Sequence, residues 1–174
     1  MASAAEWKDD DDDEEAAKDG LVNIKYLADG PWMDDLQTHP ENRYDFEHAG
    51  LKCFIKRAFM RNWNGYVKVP RSHPCFGVSD ETLNSDEWWH LDVYGGITYA
   101  QFYHQGPDAQ EKLYWTIGFD TQHQLSDLPR MNLHGKKDED KDKGKKHEST
   151  TFWTFEKTLA ETKELADKLS LMQQ

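Results

Sequence analysis

The chain has 174 residues, of which 37% are hydrophobic and 13% aromatic, and its formal net charge is −12. One domain with appendages fits this length, because single domains usually contain about 100 to 150 residues. Contacts to phosphate backbones need clustered Lys and Arg, so the acidic balance argues against a nucleic-acid-binding protein. No apolar run reaches the length of a membrane-spanning helix, and we expect no membrane partner.

Residues 1–20 carry the acidic run DDDDDEE and are predicted to be a disordered tail, since such a segment cannot bury apolar surface. An acidic start is the opposite of a secretory signal peptide, which predicts an intracellular, cytoplasmic protein. The chain has two cysteines, Cys53 and Cys75, and free thiols are expected in a reducing compartment.

Residues 21–129 are predicted to form the folded core, with five strands in succession. Alternation of apolar and polar residues indicates a half-buried strand, and Pro, Gly and Asn mark the breaks between strands. The alternation places Lys52 and Lys56 on the outer face, and the predicted core-facing residues include Leu51, Cys53, Ile55, Trp89, Leu91 and Val93. The predicted strands lie within residues 51–59, 66–69, 88–94, 97–103 and 112–119. Residues 71–87 are rich in Pro, Gly, Ser and Asp and are predicted to be a long loop, which favours a functional role for it.

The last segment changes period and predicts an amphipathic helix in residues 151–174. Its apolar stripe consists of Phe152, Phe155, Leu159, Thr162, Ala166 and Leu169. The charged tract of residues 130–150 precedes it as a flexible linker or loop, long enough for the helix to dock on a neighbouring copy in an oligomer. The simplest architecture is an α+β domain, a mostly antiparallel sheet of about five strands with this C-terminal helix packed on one face.

A polar cluster follows the last predicted strand. Strand parity places Asp92 and Tyr94 on the face opposite the core, and Asp120 falls on the same face. His123 is three residues after Asp120 and four before Asp127, so a helical turn there would bring the three side chains to one side. We expect a pocket that these residues share with His73 of the long loop.

Four segments resemble, in the same order, blocks of a family of small phage and bacterial proteins: GLKCFIKR (50–57), NGYVKVPRSHPCFG (64–77), DVYGGITYA (92–100) and WTIGFDTQHQLSDLP (115–129). The family blocks are G-L-x-C-x-I-x-R, C-G-Y-V-x-V-P-x-x-H-P-x-Y-G, V-H-G-G-L-T and G-F-D-C-A-H-x-x-D. The resemblance spans roughly residues 32–129 and the C-terminal helix. It implies a phage or viral protein, acting within an infected host, rather than a particular activity.

The resemblance also bears on the candidate site. Among the matching positions are His73, Gly95, Gly96, Thr98, Asp120, His123 and Asp127. Three positions depart from the pattern, with Asn64 and Thr121 where the family has Cys and Tyr94 where it has His. A thiol nucleophile or a Cys/His metal centre of the relatives would therefore be absent here, which favours binding over catalysis.

Two chemical interpretations of the pocket make the protein a hydrolase. In the first, His73, Asp120, His123 and Asp127 bind a divalent metal ion that activates water. In the second, His123 is a general base oriented by Asp120, with His73 nearby. The structural alternative is that Asp120 caps a short helix and His123 bonds a loop.

The leading interpretation is a domain that binds a small ligand or a host or viral protein partner. Tyr94 offers an aromatic surface, and the amides of Gly95 and Gly96 could form an anion nest beside Asp92 and Thr98. In the alternative, the two glycines only make a turn.

Overall fold

A computed structural model describes residues 20–103, 113–132 and 151–173. Its five strands are β1 (Arg43–His48), β2 (Leu51–Arg57), β3 (Trp63–Pro70), β4 (Tyr99–Gln101) and β5 (Tyr114–Phe119). They form one sheet in the order β1-β2-β3-β5-β4, and every neighbouring pair is antiparallel. The helices are α1 (Pro31–Thr38), α2 (Asp80–Leu83) and α3 (Phe155–Leu171). Short 3-10 helices occupy Ile24–Tyr26, Asp86–Leu91 and Leu125–Asp127.

The predicted fold class is confirmed, since α3 packs on the antiparallel sheet. None of the helices in the described ranges has the length and apolar character needed to cross a bilayer. The predicted tail and linker fall almost entirely on residues 1–19 and 133–150, outside the described residues.

Two strands differ from the prediction, and the helices α1 and α2 were not predicted. Residues 88–94 do not form a strand, because Asp86–Leu91 is a 3-10 helix in which Trp89 is 78% exposed. Leu91 and Val93 still reach the core, from the end of this 3-10 helix and the residues after it rather than from a sheet face. The structure adds β1, an edge strand joined to β2 by a tight turn in which Ala49 and Gly50 both have positive φ.

One face of the sheet is closed by α3, and we call it the helix face. Alternate residues of β2, β3 and β5 point into this layer, where they pack against apolar side chains of the helix. Members of this core include Cys53, Val67, Val69, Ile117, Phe119, Leu165 and Leu169. A Cβ at Gly65 would overlap the Thr162 hydroxyl and the Phe119 ring, so the glycine permits the close approach of helix and sheet.

A buried carboxylate fixes the start of α3. Asp35 of α1 accepts hydrogen bonds from the indole of Trp63 at 2.6 Å and from the backbone N–H of Phe155 at 2.9 Å. The Arg57 guanidinium lies 3.9 Å from the same carboxylate. Because both oxygens accept from buried donors, the charge is compensated and α1, β3 and α3 are held together.

Candidate functional site

The residues of the predicted pocket lie at opposite ends of the sheet, because β3 and β5 are antiparallel. In the β3–β5 pair, Gly65 lies opposite Phe119 and Pro70 lies opposite Tyr114. Asp120 and the turn after β5 are therefore at the start of β3, whereas His73 follows its end, about 17 Å away along the strand at the usual rise per residue. The shared pocket that the sequence predicted is not formed.

His73 has a structural environment at its own end of the sheet. It is 3% exposed, and its Nδ1 accepts the backbone N–H of Cys75 at 2.9 Å. Nε2 therefore carries the proton and donates to the carbonyl of Leu169 at 2.7 Å. Burial lowers the pKa of His73, so the neutral ring is favoured and anchors the last turn of α3.

The turn after β5 does bring the other three predicted residues together. His123 Nε2 lies 3.2 Å from Asp120 Oδ1 and 3.0 Å from the Asp120 carbonyl oxygen. Asp127 is fully buried, and its Oδ2 accepts the backbone N–H groups of His123 and Gln124 and the hydroxyl of Tyr94 at 2.9 Å. Asp127 therefore organises the turn, and burial together with the bond to this carboxylate raises the pKa of Tyr94.

The two glycines make a turn that carries His123. Gly95 and Gly96 have φ of 69° and 83°, which only glycine adopts readily. A Cβ on Gly95 would overlap the His123 ring, and the Gly96 N–H donates to Val93 O at 2.8 Å. The two glycines therefore form a turn rather than the predicted anion nest, and the imidazole of His123 occupies the space above Gly95.

The remaining predicted ligand residues contribute backbone contacts. The carbonyl of Asp92 accepts a hydrogen bond from Lys168, and the N–H of Thr98 donates to Gly118 O at 3.0 Å. These bonds attach the segment around the glycine turn to α3 and to β5. Asp92 and Thr98 therefore help to position the turn through their backbone groups.

Neither a metal cluster nor a thiol nucleophile is assembled at this turn. Within the described ranges, no group of three or more His, Cys, Asp or Glu side chains is arranged to hold a metal ion. The four predicted ligands are therefore not gathered, because His73 lies at the other end of the sheet. Cys53 and Cys75 are buried, and burial raises the pKa of each thiol to about 12, which leaves no reactive thiolate near neutral pH.

The sheet face opposite α3, which we call the polar face, carries a row of aromatic residues. Phe54, Tyr66 and Tyr99 follow one another across neighbouring strands, with Gly118 between the two tyrosines. A Cβ at Gly118 would lie 2.5 Å from the Tyr66 ring, so the glycine leaves room for that ring. Tyr103 completes the group, with ring centroids 5.8 Å from Tyr66 and 5.9 Å from Tyr99. We call the three phenols the tyrosine cluster.

A cleft of about 420 Å³ opens beside the tyrosine cluster. Its walls come from the β2–β3 hairpin, from β4 and from the segment that follows β4. The residues that line it are Leu21, Lys56, Arg57, Ala58, Phe59, Asn64, Tyr66, Tyr99, Gln101 and Tyr103. Lys56 Nζ lies 3.3 Å from the Tyr103 hydroxyl, which places an ammonium group against the aromatic wall.

The polar face has a charge balance opposite to that of the whole chain. The strands present four basic side chains there, Arg43, Lys52, Lys56 and Lys68, and two acidic ones, Asp45 and Glu47. The Arg43 guanidinium lies 3.9 Å above the Phe54 ring, and Lys68 lies 5.4 Å from the same ring. Arg43 also pairs with Asp45 at 3.0 Å, so these two opposite charges offset each other within the face.

The turn after β5 begins near one wall of this cleft, although neither Asp120 nor His123 is among the residues that line it. Gly65 pairs with Phe119, and Thr121 Oγ1 donates to Trp63 O at 2.7 Å, so the chain beyond β5 continues alongside the start of β3. Asp120 consequently lies next to Asn64 of the cleft wall. Burial raises the pKa of Tyr66 to about 12, and the nearby Asp120 carboxylate acts in the same direction.

Sequence reasoning missed the cleft, although a signal for it was present. Lys52 and Lys56 were correctly placed on the face opposite Cys53 and Ile55, and the same parity puts Phe54 between the two lysines. An aromatic flanked by lysines on the non-core face is the pattern that marks this surface.

Comparisons of the chain with protein-family models, with curated proteins and with solved structures gave no match. The resemblance to small phage and bacterial proteins therefore stays a prediction.

Proposed function

We propose that this protein is a ligand-binding domain whose cleft on the polar face takes a small anionic molecule with a flat ring. The observation that carries the proposal is the contact between Lys56 and Tyr103 in a cleft walled by the tyrosine cluster. A cation and aromatic rings on one wall match a ligand that has both a negative charge and a π-face.

The size and charge of the cleft restrict the ligand. A volume of about 420 Å³ falls in the range of small-molecule sites. Aromatic groups alone could hold a cation, but the ammonium group of Lys56 already lies against Tyr103 and would repel a second positive charge. A nucleoside monophosphate has the required ring and phosphate and fits a site of this size.

The test is a binding titration with the four ribonucleoside monophosphates, the four nucleosides and inorganic phosphate, followed by calorimetry. The expected result is saturable binding of at least one nucleotide and weaker binding of its separate parts. Replacement of Lys56 by Ala should weaken binding about 10-fold or more, because a hydrogen bond to a charged group is lost.

Lys52→Ala is the matched control, since it removes the same charge from the polar face but lies outside the cleft lining. The two lysines are four residues apart on one strand, about 13 Å, beyond the screening length at physiological ionic strength. Equal losses in the two variants, or no saturable binding by any of the probes, would rule out this site.

A further inference from the structure

The strand β1 forms one edge of the sheet. Within the described ranges β2 is its only neighbour, and the ladder between them runs from Arg43 to His48 without a skipped residue. Native edge strands are usually protected from further pairing by a bulge, a proline, a lysine or a very short length. β1 has six residues and none of these features, whereas the opposite edge strand, β4, has only three residues.

Alternate backbone groups of β1 point away from β2. The Arg57 N–H donates to Asn42 O at 2.9 Å, and hydrogen-bonded pairs recur at every second residue of an antiparallel ladder. The N–H and C=O groups of Asp45 and Glu47 are therefore directed outward. In the part of the chain that the structure describes, no group forms a hydrogen bond with them. These donors and acceptors are available to another strand.

The charges of β1 are complementary to those of a second copy that pairs with it in the antiparallel direction. With a two-fold axis at Asp45, Arg43 lies opposite Glu47 of the second copy, and the same pair recurs across the axis. Opposite charges directly across two strands stabilise their pairing. A two-fold axis at Phe46 would instead place Asp45 opposite Glu47 of the second copy, which is repulsive.

The two Asp45 carboxylates would meet at this axis. Each of them already accepts two hydrogen bonds of 3.0 Å from the Arg43 guanidinium of its own chain. A bidentate pair of this kind offsets much of the charge of the carboxylate. The like charges at the axis therefore cost less than their separation alone suggests.

The other side of the same strand supplies an aromatic contact. Tyr44 is 45% exposed, and its ring stacks on Phe46 at a centroid distance of 5.5 Å. With the axis at Asp45, Tyr44 lies opposite Phe46 of the second copy in a pair without backbone hydrogen bonds, where side chains approach most closely. Aromatic pairs across strands stabilise a sheet. The helix α3 packs mainly on β2 and β3, which lie further inside the sheet.

We propose that two copies of this chain join through β1 as a symmetric antiparallel dimer, so that their two five-stranded sheets become one continuous sheet. The partner is a second copy because the order of charges in β1 complements itself in this register. None of the β1 residues lines the cleft on the polar face, so this inference does not depend on the proposed function.

Sedimentation velocity of the full chain over a concentration series measures the dimer. The mass of the wild type should approach twice the monomer mass of 20.3 kDa as the concentration rises. Arg43→Glu and Glu47→Arg should each lower the dimerisation constant about 10-fold or more, because each places like charges opposite each other at two positions. Glu164→Arg is the control, since it makes the same change of charge at an exposed position of α3 and should leave the constant unchanged.

A mixture of the two variants tests the register. A chain with Arg43→Glu is acidic at both positions, and a chain with Glu47→Arg is basic at both, so each variant repels its own copy and complements the other. Mixing them should restore dimers at the wild-type concentration range, and labels on the two variants should show one of each in every dimer. Restoration also requires that β1 is folded in both variants.

Asp45→Pro tests the backbone contact separately. Proline lacks the N–H that points outward at this position, and an edge strand tolerates it because the ladder to the inner neighbour is kept. The variant should lose dimers while its Tm at a concentration where the wild type is monomeric stays close to that of the wild type.

Three results would overturn the proposal. The first is a wild type that remains monomeric at every concentration. The second is dimerisation that Glu47→Arg or Asp45→Pro leaves unchanged, which would place the interface elsewhere. The third is a mixture of the two charge variants that associates no better than either variant alone.

Discussion

The two faces of the sheet come from the same five strands but differ in what they bury. The helix face is apolar and is closed by α3, whereas the polar face has tyrosines and lysines around a cleft. Each face has one glycine where a side chain would collide, Gly65 beneath the helix and Gly118 beneath the Tyr66 ring. The alternation of a strand thus supplies two separate surfaces, one for stability and one that can recognise a ligand.

The largest effect should follow from a cavity in the helix face. Leu165 is 1% exposed, and replacement by Ala should lower the free energy of unfolding by about 2 to 5 kcal/mol, because buried contacts are lost and a cavity remains. Leu171→Ala on the same helix is the control, since Leu171 is 66% exposed and its loss should change stability by at most about 0.5 kcal/mol. Denaturant unfolding measures both, and equal changes would show that α3 does not close the core.

The two glycines allow a direct comparison of the faces. A methyl group at either position collides with its neighbours, so Gly65→Ala and Gly118→Ala should each cost about 1 to 3 kcal/mol in denaturant unfolding. Their effects on nucleotide affinity should differ, because only Gly118→Ala displaces a wall of the cleft. If Gly65→Ala weakens binding as much as Gly118→Ala does, the two faces are not independent.

Gly95 allows the same kind of comparison at the turn that carries His123. Gly95→Ala should displace the His123 ring, whereas Gly77→Ala introduces similar backbone strain where a Cβ meets nothing within 4 Å. Each variant should lose about 1 kcal/mol of stability through its positive φ, and Gly95→Ala should lose about 1 kcal/mol more through the collision. Equal changes in the free energy of unfolding would contradict a fixed position of the His123 ring.

The sequence predicted the faces of strands better than their ends. Alternation of Leu51, Cys53 and Ile55 correctly gave the core side of β2, and the stripe of the last segment gave the buried face of α3. Local spacing likewise brought His123 to Asp120, because three residues fit within one turn. These features depend on neighbours in the chain, which periodicity reports directly.

The parts that failed depend on long-range pairing. The alternation along a strand predicts which face a side chain lies on but not which end of the sheet it occupies. The separation of His73 from His123 therefore follows only from the antiparallel register of β3 and β5. The apparent alternation of Trp89, Leu91 and Val93 came from a loop whose apolar residues reach the core without sheet geometry. Tertiary packing decided that segment, as it often overrides strand propensity.

The smallest expected effect is a loss of stability in acid. It tests whether His73 is buried and neutral beneath α3, as the structure shows. Burial lowers the pKa of His73 in the folded protein below 6.5, so the unfolded chain binds more protons when the pH falls beneath that value. The stability that neutral His73 contributes is therefore complete above about pH 6.5 and declines as the pH falls from there towards its folded pKa. Protonation would also place a proton on Nδ1, where the Cys75 N–H now donates.

Denaturant unfolding of wild-type protein and of His73→Gln between pH 8 and pH 5 measures this contribution. His39 and His48, which pair with Glu156 and Asp167 of α3, are present in both proteins, so their contributions cancel in the difference. The stability of the wild type should fall more steeply with acid than that of the variant, and nucleotide binding above pH 6.5 should not change. A parallel decline in the two proteins would mean that His73 is charged or solvated in the folded state, and its bond to the Leu169 carbonyl would then not anchor α3.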